Sequence, residues 1–145
     1  MTRRILLYSV IALGISGAGL SGQVGSPSSV TSVVQRAGAA VVLIRSFDAN
    51  GRSLAIGSGF IGPDGRVVTN AHVVSGATSV EIVGSDGQLL LTAQYAEALS
   101  ARYDIAVLPR IPGGIRLDMS TSVPPVGEHI AVIGAPEGLS NTVSD

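Results

Sequence analysis

The chain has 145 residues, nine basic against ten acidic side chains and a formal charge of −1, with every basic residue an arginine. That balance gives no electrostatic reason to expect nucleic acid or an anionic membrane surface as a partner. It has no cysteine, which excludes disulfides and cysteine-based zinc sites.

Met1-Thr2-Arg3-Arg4 is a short basic head, followed by an uncharged apolar run from Ile5 to Leu20 and by small residues around Ser16-Gly17-Ala18 and Leu20-Ser21-Gly22. Basic, apolar, small is the layout of a secretory signal peptide over residues 1–22. The run is short for a bilayer span of about 20 residues, so an uncleaved anchor is the second choice. Gln23 stands where a lipoprotein box would need its cysteine, and lipidation there is excluded. Residues 23–29 form a small polar linker.

Ser29 or Thr31 offers an N-cap for a short helix over Val30 to Ala37, with Val30, Val33, Val34 and Ala37 on one side. Strands are predicted over Ala40–Phe47, Ser53–Ile61, Arg66–Thr69, Thr78–Val83, Gln88–Tyr95 and Asp104–Leu108, with Val80 and Ile82 sharing a face. Asp48-Ala49-Asn50-Gly51, Pro63-Asp64-Gly65 and Ser85-Asp86-Gly87 are the turns between them. Six short strands with turns every 8 to 12 residues predict a sandwich or small barrel. The stretch from Pro109 to Pro125, with four prolines and two adjacent glycines, reads as a connection between two bodies. There is no repeat, P-loop, dinucleotide fingerprint or paired-carboxylate site.

Two stretches can carry chemistry. In Gly57-Ser58-Gly59-Phe60 … Thr69-Asn70-Ala71-His72-Val73-Val74, a histidine is mounted where a strand ends. In Tyr103-Asp104-Ile105-Ala106-Val107-Leu108, a carboxylate stands at the mouth of an apolar strand. Taken singly, each has a bland reading as a packed or solvated residue. Together with Pro125-Val126-Gly127-Glu128-His129-Ile130-Ala131-Val132-Ile133-Gly134-Ala135-Pro136-Glu137-Gly138-Leu139, they resemble the first part of a trypsin-like serine protease of the bacterial HtrA/Deg branch, over residues 30–145.

The resemblance implies an all-β, chymotrypsin-like fold. A six-stranded first β-barrel, opened by the short N-terminal helix, would cover 30–110, an inter-barrel connection 111–125, and the start of a second barrel 126–145. It implies His72 as general base and Asp104 as its orienting partner, since an imidazole activates a serine hydroxyl and a carboxylate on its other nitrogen fixes the tautomer. The order, His before Asp, is that of the chymotrypsin-like arrangement. The family's nucleophile lies in a Gly-Asn-Ser-Gly-Gly segment, and no such segment occurs in these 145 residues. Ser58 matches a strand motif; Ser140 and Ser144 lack the flanking glycines. The sequence therefore predicts no peptide hydrolysis by this polypeptide alone, and an uncovered apolar face prone to association.

No cofactor or metal is expected. The implied partners are polypeptides, specifically unfolded or misfolded envelope proteins met after export to the periplasm or cell envelope. A homo-oligomer is possible, and membrane contact would come only through an uncleaved leader. The alternative is a non-catalytic polypeptide-binding module, or a remnant, keeping the first barrel. A small β-protein unrelated to proteases is a third reading. His129 reads as a surface residue, Tyr95 and Tyr103 as packing, and the arginines as solvated.

Overall fold

The computed structural model describes residues 12–13, 27–127, 130–135 and 142–144. The signal-peptide reading and that of His129 as a surface residue lie outside these, apart from Ala12–Leu13. In chain order the elements are β1 (Ala12–Leu13), α1 (Pro27–Gly38), β2 (Val41–Phe47), β3 (Ser53–Ile61), β4 (Arg66–Thr69) and α2 (Ala71–Val74). They continue with β5 (Ser79–Val83), β6 (Leu89–Ala93), β7 (Ala98–Ser100), β8 (Ile105–Arg110), β9 (Ala131–Gly134) and β10 (Thr142–Ser144).

Three hairpins build most of the fold, and all use one turn chemistry. Gly51, Gly65 and Gly87 each take a positive φ, of 74°, 85° and 80°, a region that costs glycine nothing. Each donates its N–H to the carbonyl three residues back, on Asp48, Gly62 and Gly84. An aspartate oxygen then accepts the N–H two residues on, from Asp48 to Asn50, Asp64 to Arg66 and Asp86 to Gln88. Turn and glycine bulge together fix the register of the flanking strands.

The main sheet is antiparallel, in the order β6-β5-β2-β3-β4-β8-β7. Its two outermost strands are consecutive in the chain, with only Gln94 to Glu97 between them. A sheet whose opposite edges are joined by so short a link must curl on itself, giving the all-β, chymotrypsin-like barrel architecture.

The inward face follows the period of two. Val42 and Ile44 on β2, Val80 and Ile82 on β5, Val67 on β4, and Ala106 and Leu108 on β8 fill the centre, with Ile61 and Ile111. Ser46 is fully buried there, but its hydroxyl is satisfied on both counts by the Ala55 carbonyl and N–H. Outside the barrel, Ala37 of α1 packs with Val41 and Ile133, joined by Val34, Leu117 and Ala135. Through this cluster α1 ties the small β1-β9-β10 sheet to the main one.

Several local expectations change. The helix begins at Pro27, placing Ser29 and Thr31 inside it, because a proline in the first turn sacrifices no helical hydrogen bond. Strand β7 was not expected: at three residues it has no periodicity, and it forms by pairing with β8. His72 sits in the one-turn helix α2, past the end of β4. Tyr95 and Tyr103 are 66% exposed and do not pack in the core; Arg102 lies 5.3 Å from the Tyr103 ring. Arg66 is bound on both sides, by Asp64 and Glu97, rather than simply solvated. Asp64 is consequently held below the ordinary carboxylate range, first by the Arg66 N–H and then by its guanidinium.

Candidate active site

His72 is presented by α2, a turn too short to be stable alone. Its other residues anchor it: Ala71, Val73 and Val74 are buried, and the two valines belong to the barrel core. Beneath it the backbone of β3 comes close at Gly57, where a Cβ would lie 2.6 Å and 3.0 Å from the two methyls of Val73. Valine is stiff at χ1 and cannot swing aside cheaply. Gly57→Ala is therefore expected to lower stability by about 1–3 kcal/mol, as overpacked cores do, and to shift the His72 amide resonance. Urea denaturation and an amide correlation spectrum check this; an unchanged midpoint and His72 peak would contradict the close fit.

Asp104 closes the turn before β8 and is the only non-glycine residue with positive φ among those described, at 52°. That backbone turn aims its carboxylate across the mouth of the barrel at α2. Its Oδ1 accepts the His72 backbone N–H at 2.9 Å, and its Oδ2 meets His72 Nδ1 at 2.6 Å. The Asn70 amide nitrogen donates to the same Oδ2 at 3.1 Å and to the Asp104 carbonyl at 3.2 Å.

The structure thus brings His72 and Asp104, 32 residues apart in sequence, into direct contact. The Asp104 carboxyl is held below its ordinary range, chiefly by the His72 backbone N–H and against the opposing cost of desolvation. A depressed carboxylate contributes stability above its unfolded value and loses it as pH falls through the folded one, so this contact holds at neutral pH and is lost on the acid side. Both side chains remain accessible, His72 at 49% and Asp104 at 42%.

A carboxylate only accepts, so Nδ1 must carry the hydrogen of the 2.6 Å contact, which leaves the imidazole lone pair on Nε2. A neutral imidazole held in that tautomer can take a proton from a hydroxyl brought to Nε2, and the carboxylate then stabilises the resulting cation.

The serines that sequence considered do other things or lie elsewhere. Ser58 is 9% exposed, and its hydroxyl accepts the Ala135 N–H at 2.9 Å, fastening the segment after β9 to β3. Ser140 lies outside the described residues, and Ser144 belongs to β10. Among the described residues no group of three His, Cys, Asp or Glu could hold a metal ion. Sequence reasoning missed the part played by Asn70. It stood in the motif around His72, but nothing local showed where its amide would point.

The trypsin-like peptidase domain family matches residues 57–145. A DegP-like periplasmic serine endoprotease of Halomonas elongata is 37% identical over 100 residues, which is 62% of this chain and 19% of that protein. Serine protease HTRA1A of Danio rerio is 34% identical over 128 residues, covering 79% of this chain and 26% of that one. Among solved structures, a serine endoprotease from Yersinia pestis superposes with a TM-score of 0.68 and 28% identity, over 82% of this chain and 43% of that one. The chain spans about a fifth of the length of the curated relatives it first matches.

Proposed function

The chain belongs to the trypsin-like peptidase family, HtrA type, and on that premise we propose that it carries the general base and its orienting carboxylate for a serine endopeptidase. The observation that carries this reading is the two-point grip of Asp104 on His72, with one carboxylate oxygen on the backbone N–H and the other on Nδ1. His72 Nε2 takes the proton of a serine hydroxyl as it attacks the scissile carbonyl, then returns it to the leaving amine. Asp104 holds the tautomer and stabilises the imidazolium between those steps.

The serine and the donors for the tetrahedral oxyanion come from a segment that these 145 residues do not contain. We place the first barrel at residues 30–110, the connection at 111–125 and the opening of the second barrel from 126. Ile115, Met119, Val123, Val126 and Ile130 are exposed at 46% or more, which supports a further body packing against this stretch. Substrates are unfolded or misfolded polypeptides of the cell envelope. The leader-like layout of residues 1–22 and the relatives named periplasmic endoproteases both support export.

A serine-reactive fluorophosphonate tests this on the full translation product of the reading frame that contains these residues. One serine is expected to be labelled, and His72→Ala should slow that labelling by at least about 100-fold, the lower range for a positioned general base. The 145-residue polypeptide by itself should stay unlabelled and leave casein intact. Labelling indifferent to His72, or casein turnover by the 145 residues alone, would overturn the proposal.

A further inference from the structure

Asp104 holds a left-handed backbone conformation that residues with a Cβ seldom adopt. An L-residue with a φ of 52° crowds its Cβ against the backbone, and only Asn and Asp visit that region at all readily. Something must over-determine it. One residue touches both its backbone and its side chain: Asn70, 34 positions earlier, whose single amide nitrogen donates to the Asp104 carbonyl and to Oδ2.

The amide orientation follows from chemistry. Both partners are pure acceptors, so the nitrogen must face them and the oxygen must face away. That oxygen, Asn70 Oδ1, is buried and has no hydrogen-bond partner. A buried acceptor left unmade is a cost, and it marks a side chain fixed by its other end. Asn70 also makes no side-chain cap on α2, the usual local use of an asparagine at that position. Its donor is spent on Asp104 instead.

We propose that Asn70 is the positioning residue of this site. By clamping carbonyl and carboxylate together it keeps Asp104 in the left-handed region with Oδ2 on His72 Nδ1, and thereby keeps His72 in the Nδ1–H tautomer. This rests on the assignment of His72 and Asp104 as base and orienter, and the experiment separates the two.

The 15N shifts of the imidazole report the tautomer directly, and the chain has only two histidines, so His129→Gln leaves His72 alone in the spectrum. In that background the Nδ1–H form should predominate, with its proton shifted downfield by the 2.6 Å contact. Asn70→Ala should lower the Nδ1–H to Nε2–H ratio about tenfold, the size expected for losing one hydrogen bond to a charged group. Asn70→Asp keeps the shape but sets a second carboxylate beside Asp104, and should lower the ratio further.

Readings are taken on chains whose amide dispersion shows them folded. A purely structural role would move the unfolding midpoint and leave this ratio alone. Should the alanine variant fail to fold, the isosteric aspartate variant decides. A folded variant of either kind that keeps the parent ratio and downfield proton overturns the role of Asn70 while leaving the pair intact. A parent in which His72 is not Nδ1–H overturns the pair, and the clamp with it.

Discussion

Asp104→Asn is expected to lower kcat by about 10⁴-fold in the product that carries the nucleophilic serine, a magnitude carried over from this enzyme class. The geometry explains why so conservative a change should be severe. Each oxygen of Asp104 receives donors: Oδ1 from the His72 N–H, and Oδ2 from His72 Nδ1 and the Asn70 amide. An amide nitrogen at the Oδ1 position would face the backbone N–H, donor against donor. At the Oδ2 position it would face the Asn70 amide, and it would force His72 Nδ1 to become the acceptor. The hydrogen would then sit on Nε2, where the lone pair is needed. Flipping Asn70 does not relieve this, since its oxygen would meet the Asp104 carbonyl. A steady-state assay of both forms checks it: kcat should fall with little change in KM, and an asparagine variant within tenfold of the parent would contradict the assigned role.

Ile44→Ala is the substitution expected to cost most stability, about 2–5 kcal/mol out of a usual total of about 5–15. Ile44 is fully buried at the barrel centre, in register with Gly57 on β3 and Ile82 on β5. Its γ1 methylene and δ1 methyl fill the space over Gly59, where an added Cβ would sit 3.2 Å from each. The same cluster contains Val73 and Val74, so the cavity also loosens the floor under His72. Ile56, across the strand pair from Arg45, is 39% exposed on the outer face and makes the matched control. Ile56→Ala should stay near the ±0.5 kcal/mol typical of surface changes. Equal losses in urea denaturation would contradict the placement of the core.

The parts of this fold that could be read from the sequence are those whose cause is local. Each hairpin carries its own aspartate and glycine, so Ser53–Ile61 and Arg66–Thr69 fall where turn chemistry and β-branched residues put them. Val80 and Ile82 face inward because alternation is itself a local signal. Elements created by tertiary contact could not be read that way. Three-residue β7 exists through β8, and α2 is held by valines that read as strand-formers in isolation. His72 and Asp104 were legible only through resemblance; composition and periodicity gave each a bland reading. Neither the left-handed turn at Asp104 nor the reach of Asn70 across 34 positions leaves any trace in residue spacing.

The most direct measurement is casein hydrolysis by the full translation product, with and without His72→Ala. Turnover should fall by at least about 10⁴-fold when the imidazole is removed, as in triads where base and nucleophile act as a unit. Turnover that survives the substitution would show that His72 is not the base, and that the contact with Asp104 serves the fold alone.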